Sequence, residues 1–258
     1  MLWLPSSHLK IVLTALVAVI LAPIIGRAEA PRLILVGDST VSTWPTSGAR
    51  RGWGQYLQGY FKSEVSVSNL AASGRSTKTF IAEGRWQEAL EMKGDFILIQ
   101  FGHNDSHSPE KPEATSLPIF KNNLIRFIGE ARAARAIPIL VTPMCRRTFG
   151  TDGKLIDALL PYVQAMKEVA AVRAVGLIDL HASSRRLFES LGESGSAGLA
   201  DVPSDTTHFN ERGARTMAEL VVIDLVHLEP SLKEYVRVMP VTVVGDSAKP
   251  SLEGTLKH

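Results

Sequence analysis

Cysteine is nearly missing from this chain: Cys145 is the single example in 258 residues, so no intramolecular disulfide can brace the fold. It ends an apolar run, where a buried, inert thiol is the expected state. A charge surplus of either sign is missing as well. Lys10 and Arg27 fall in the first 28 residues, which hold no acid, and the 26 basic residues that follow balance 26 acidic ones. Nucleic-acid binding normally needs a basic excess or stripe, so that partner class is excluded. The Gly37 and Gly74 segments do not form the Gly-x-Gly-x-x-Gly dinucleotide pattern. Gly-x-Ser-x-Gly is absent around Ser39. Beyond the leader no stretch is apolar enough to cross a bilayer.

That leader is the one long apolar run. His8 and Lys10 precede Ile11–Ile25, and the small-residue patch Gly26-Arg27-Ala28-Glu29-Ala30 follows. Basic flank, apolar centre and small residues describe a secretory signal peptide over residues 1–28. The run has 15 residues and contains Pro23, short of the ~20 a spanning helix needs. Cleavage is expected after Ala28, because cutting after Ala30 would leave Pro31 directly behind the scissile bond. The mature protein is expected to be exported, monomeric and free of stable membrane association.

Short apolar runs alternate with helical patterns along the rest. Leu33–Val36, Val65–Leu70, Phe96–Ile99, Ile137–Thr142 and Val175–Leu180 read as five strands. Trp53–Phe61, Thr79–Met92, Ile119–Arg135, Leu155–Ala174 and Glu211–Leu228 read as helices. Near-continuous apolar strands between amphipathic helices indicate a parallel sheet covered on both faces. One three-layer α/β/α domain is expected over residues 31–236, followed by a tail over 237–258. In that tail Val241–Val244 could add an edge strand before a frayed end.

Four segments fall just past strand ends or near the last helix, where ligands bind in such sheets. Gly37-Asp38-Ser39-Thr40 offers a serine nucleophile, which needs a base to take its proton. Asp205-Thr206-Thr207-His208 offers that base, with a carboxylate three residues earlier to fix its tautomer. Ser73-Gly74-Arg75 and Gly102-His103-Asn104-Asp105 offer oxyanion donors, as the Gly74 N–H and the Asn104 amide, beside the Ser39 N–H. Asp38 and His103 are candidate supporting residues; Trp44 and Arg75 are candidates for substrate binding. Trp53 and Trp86 suit either a sugar cleft or the core. Taken singly, each segment has a plainer use, such as a capping serine, a turn glycine or an Asx-turn. The set together is that of a serine esterase. His103, Asp105 and His107 alternate in a way a metal could use, but no second cluster completes three or four ligands, so no metal is expected.

At these residues the chain resembles the SGNH (GDSL-like) hydrolase superfamily, whose four signature positions are matched by Ser39, Gly74, Asn104 and His208. Within it the chain is most similar to the rhamnogalacturonan acetylesterase group. Gly-Asp-Ser-Thr at 37–40, Ala71 to Thr77, Phe-Gly-His-Asn-Asp at 101–105, Asp-x-x-His at 205–208 and Arg-Gly-Trp-Gly at 51–54 carry that similarity. The resemblance implies a flavodoxin-like fold, a Ser39–His208–Asp205 triad, no cofactor, and removal of O-acetyl groups from plant cell-wall polysaccharide such as rhamnogalacturonan. Phe209, Asn210 and the 106–117 loop depart from the group's pattern. Two other readings are a GDSL-type lipase or thioesterase, and a non-catalytic carbohydrate-binding protein that retains the fold.

Overall fold

The computed structural model describes residues 29–240; the leader and the Val241–Val244 run lie outside the described residues. Five parallel strands form one sheet: β1 (Arg32–Gly37), β2 (Ser66–Asn69), β3 (Phe96–Gln100), β4 (Ile137–Val141) and β5 (Gly176–Ile178). Their order is β2-β1-β3-β4-β5, the flavodoxin-like arrangement.

The central runs are buried because β1, β3 and β4 each feed two cores at once, while the edge strands β2 and β5 are only partly buried. Leu33, Leu35 and Leu98 face one layer, while Ile34, Val36, Ile97 and Ile99 face the other. On the first side lie α1 (Gly54–Leu57, continued as a 3₁₀ turn to Tyr60), α6 (Leu180–Ala197) and α7 (Glu211–Leu228). On the second lie α2 (Thr77–Ala82), α3 (Arg85–Glu91), α4 (Leu117–Ala133) and α5 (Leu160–Arg173). Trp86, Phe101 and Phe127 pack ring on ring in that second core, with centroids 4.5 and 5.8 Å apart. Each such side chain contributes about 2–3 kcal/mol by leaving water.

Helix ends follow local chemistry. Ser76 caps α2 through a capping box with Thr79, Asp179 caps α6, and Asn210 caps α7 by accepting from the Gly213 N–H at 3.0 Å. Proline stands in the first turn of α4 and of α5, so α5 begins at Leu160 and not at Leu155 as its pattern suggests. The single helix expected over Thr79–Met92 is two, α2 and α3, divided where Gly84 adopts φ +75°. The sequence reading has no counterpart for α6. Its core-facing positions include His181, Ser183 and Ser184, so the apolar period that marks a helix is broken although the face is buried.

The chain runs outward from β1 to β2 and then crosses back to β3 on the other side of β1. The loops after β1 and β3 therefore diverge and leave a crevice at the strands' carboxyl ends.

Candidate active site

The loop after β1 is built around a buried Asp38. Its carbonyl accepts from the N–H groups of Val41 (3.2 Å) and Ser42 (3.0 Å), and its Oδ1 from the Thr40 N–H (2.9 Å) and hydroxyl (2.7 Å). This tight turn presents the Ser39 side chain at the crevice. A buried relay braces it from below: Trp53 Nε1 donates to Gln100 Oε1 (2.8 Å), and Gln100 Nε2 donates to Thr40 Oγ1 (2.7 Å). Trp53 and Trp86 are thus core residues, at 1% and 2% exposure, and neither lines a cleft. The Arg51–Gly54 segment packs on the same loop so closely that a Cβ on Gly52 would lie 2.2 Å from the Ser42 carbonyl. Asp38 Oδ2 sits 3.4 Å from His103 Nδ1. Burial would raise the Asp38 pKa, but His103 and the Thr40 hydrogen bonds outweigh it and hold the carboxylate below its ordinary range.

Ser39 and His208, 169 residues apart in the chain, meet in this crevice. His208 Nε2 lies 2.9 Å from Ser39 Oγ, and its Nδ1 lies 2.8 Å from Asp205 Oδ2. Asp205 Oδ1 accepts from the backbone N–H groups of Thr207 (2.7 Å) and His208 (2.8 Å), so the turn itself aims the carboxylate under the ring. Partial burial pushes this carboxyl up, but the hydrogen bonds from His208 and Thr207 dominate and bring its pKa down to about 2.

Two arginines that no local pattern singles out hold that turn. Arg50 donates from Nη2 to Asp205 Oδ2 (3.2 Å) and from Nε to Asp201 Oδ2 (2.5 Å). Its guanidinium also covers the Trp44 ring at 5.2 Å. Trp44 Nε1 donates to the Ser39 carbonyl (2.9 Å), and its ring meets His208 edge-on, so this half-buried tryptophan borders the site. Arg147, after β4, is buried. Its Nη2 donates to the carbonyls of Asp205 (2.9 Å) and His208 (2.6 Å), and its guanidinium stacks on Phe209 at 4.4 Å. Burial brings its pKa down to about 10, against the pull of Asp205 and Asp201. Phe209 is therefore the floor of this clamp and Asn210 the cap of α7. Arg147→Met keeps the apolar stem but strips both carbonyls of their donor. The expected cost is about 3 kcal/mol, a fall in Tm of roughly 10 °C at this chain size. A Tm within a degree of wild type would show that the turn stands without the clamp.

The candidate oxyanion donors lie on the loops after β1, β2 and β3. Among the described residues the N–H groups of Ser39 and Gly74 have no hydrogen-bond partner. Gly74 holds φ +78°, a left-handed conformation costly for other residues, and a Cβ there would meet open space. Asn104 Nδ2 donates one hydrogen to the Arg75 carbonyl (2.9 Å), which leaves the second available and locks the β3 loop to the β2 loop. The Arg75 guanidinium turns away to Glu83 (3.0 Å) and to the Ser73 carbonyl (2.7 Å).

Asp105 fastens the same two loops. Its Oδ1 accepts from the Thr77 N–H (3.0 Å) and hydroxyl (2.6 Å), while Oδ2 is buried without a partner among the described residues. Burial is the main cause that lifts its pKa to about 6, partly offset by Thr77 and Thr115. A carboxyl whose folded pKa is raised stabilises the fold below the unfolded value near 3.8, and that contribution is lost as pH rises through about 6. The stability of wild type relative to Asp105→Asn should therefore decline between pH 4.5 and 7.5, measured by urea unfolding at both. A constant or widening difference would contradict a raised pKa.

His103 and His107 do not share a centre: the first faces Asp38, and His107 Nδ1 lies 2.6 Å from Glu113. Two other groups bring ligand-type atoms together, Asp201–Asp205–His208 and Cys145–Asp157–His181. In the second, Asp157 is engaged by His181 and Arg185 at 3.0 Å each, and burial pushes the Cys145 thiol up to about 12.

A hydroxyl, imidazole and carboxylate in line at a strand-end crevice is an arrangement for acyl transfer. Residues 35–216 match the model of the GDSL-like Lipase/Acylhydrolase family. The chain belongs to that family. It is accordingly a carboxylic ester hydrolase, on the flavodoxin-like sheet that the resemblance implies. Rhamnogalacturonan acetylesterase RhgT of Bacillus subtilis is 38% identical over 79% of this chain and 93% of its own. The probable rhamnogalacturonan acetylesterase YesY of the same organism is 37% identical over 80% and 97%. Among solved structures, YxiM of Bacillus subtilis superposes with a TM-score of 0.70 at 30% identity, covering 77% of this chain and 56% of that one. The acetylxylan esterase Axe2 of Geobacillus stearothermophilus, 18% identical with a TM-score of 0.62 over 76% and 94%, shares the fold.

Proposed function

We propose that the protein is an exported acetylesterase acting on plant cell-wall polysaccharide of the rhamnogalacturonan type, with Ser39, His208 and Asp205 as its catalytic residues. The observation that carries this is the line from Ser39 Oγ through His208 to Asp205, at 2.9 and 2.8 Å. Ser39 attacks the acetyl carbonyl while His208 Nε2 takes the hydroxyl proton, and Asp205 holds the proton on Nδ1 and stabilises the imidazolium. The oxyanion receives hydrogen bonds from the Ser39 and Gly74 N–H groups and the free hydrogen of Asn104. Collapse expels the sugar oxygen, which takes the proton from His208. Water, deprotonated by the same nitrogen, then attacks acetyl-Ser39, and acetate leaves with Ser39 restored. Each step uses only these side chains, backbone N–H groups and water.

Support for the substrate comes from the acetylesterases at 37% and 38% identity. The leader over residues 1–28 supports export, and so does a polymer too large to enter a cell. The test is acetate release from acetylated rhamnogalacturonan, acetylated xylan and p-nitrophenyl acetate, set against octanoyl ester hydrolysis. Release is expected to be fastest on the pectic substrate. A clear octanoyl preference would replace this reading with a lipase.

A further inference from the structure

Two carboxylates, not one, stand beside the base. An oxygen of Asp201, an oxygen of Asp205 and a ring nitrogen of His208 all lie within 4.8 Å of one another. The triad uses only Asp205, whose Oδ2 is 2.8 Å from His208 Nδ1. Asp201 has no step in the reaction, and its side chain is 5% exposed. Arg50 bridges the two acids, from Nη2 to Asp205 Oδ2 (3.2 Å) and from Nε to Asp201 Oδ2 (2.5 Å). The Asp205 oxygen it reaches is the one that His208 uses.

The guanidinium is held in that pose from a third side. It lies over the Trp44 ring at 5.2 Å, and Trp44 Nε1 is pinned to the Ser39 carbonyl. Other charges near the base are directed elsewhere. Arg147, from the loop after β4, aims its Nη2 at the carbonyls of Asp205 and His208 and stacks on Phe209. Behind Ser39, Asp38 faces His103 at 3.4 Å. The side-chain charges that bear directly on the imidazole are therefore those of Asp205, Asp201 and Arg50. Two carboxylates alone would strongly favour the imidazolium, which cannot accept the Ser39 proton. A cation between them offsets one of the two and leaves the net field of a single carboxylate.

From this we infer that Arg50 is a positioning residue that sets the protonation of the catalytic base. By bridging Asp201 and Asp205 it keeps His208 free to accept a proton at lower pH than the two acids alone would allow. The inference rests on the Ser39–His208–Asp205 mechanism and deepens it. The side-chain hydrogen bonds of Arg50 go to the two acids, so it acts through them and not on the substrate carbonyl. Asp201 opposes it, and the two side chains push the base in opposite directions. A simple brace for the turn has no such opposition.

The test is the pH dependence of kcat/KM for acetate release from p-nitrophenyl acetate, a neutral substrate. Its acid limb reports the base of the free enzyme. Arg50→Gln should move that limb to higher pH by about 0.5–1 pH unit, a moderate shift because the guanidinium is partly exposed. Arg50→Lys keeps the charge and should leave the limb near its wild-type place. Asp201→Asn should move it to lower pH by a similar amount. The double variant, Arg50→Gln with Asp201→Asn, removes one charge of each sign and should return the limb toward wild type. If Arg50 only braced the turn, its variants would lower the plateau and leave the limb unmoved. That result, or shifts of the same sign in Arg50→Gln and Asp201→Asn, overturns the assignment and leaves the esterase reading intact. No acetate released by wild type overturns both. Should Arg50→Gln fail to fold, Asp201→Asn and the double variant carry the same decision.

Discussion

Replacing Ser39 by alanine is expected to lower kcat for acetate release by about 10⁴-fold or more, with Tm nearly unchanged. The oxyanion donors and substrate contacts remain, so a residue of activity above the uncatalysed rate should survive. Stability changes little because the side chain gives up one hydrogen bond, to His208 at 2.9 Å, and the loop is held by Asp38 and Thr40 instead. Such a loss is worth about 1 kcal/mol. Turnover equal to wild type would remove Ser39 from the mechanism. A collapse of Tm would mean that the hydroxyl belongs to the scaffold.

For Asp205→Asn the expected fall in kcat is about 10³- to 10⁴-fold, and here the reason lies in which atoms donate. Asp205 accepts four times: from the N–H groups of Thr207 and His208, from His208 Nδ1 and from Arg50. An amide has one acceptor oxygen. If that oxygen stays on the two N–H groups, the NH₂ faces His208 Nδ1 and forces the proton to Nε2, where it can no longer accept from Ser39. If the amide turns over, the NH₂ opposes two backbone N–H groups. The substitution should also cost stability, with a definite pH dependence. A folded pKa of about 2, depressed from 3.8, gives a contribution present above about pH 4 and lost as pH falls through 2. The stability gap between wild type and variant should therefore narrow as pH falls below 4, measured by urea unfolding. Near-normal turnover would dismiss Asp205 from the triad.

Reading by pattern alone works best where one element carries its own signal. The runs of β1, β3 and β4 became strands because burial on both faces leaves no room for alternation, whereas β2 (Ser66–Asn69) and β5 are partly buried edge strands. Glu211–Leu228 begins and ends where its pattern does, since Asn210 caps it and its apolar face is regular. Where the core admits polar residues the signal vanishes, as at His181, Ser183 and Ser184 of α6. A left-handed glycine can likewise divide a helix with no change in its apolar period, as Gly84 does.

By itself the sequence determined the layer architecture and the inventory of reactive groups. Apolar periodicity is a local property, and a serine, an amide and a histidine with a near carboxylate announce their chemistry wherever they stand. Tertiary structure alone decided the rest: that Ser39 and His208 meet across 169 residues, and that Arg50 and Arg147 grip the turn between Asp205 and His208. The physical reason is that an arginine's partner is fixed by where distant loops arrive, and long charged side chains carry no period that reveals it.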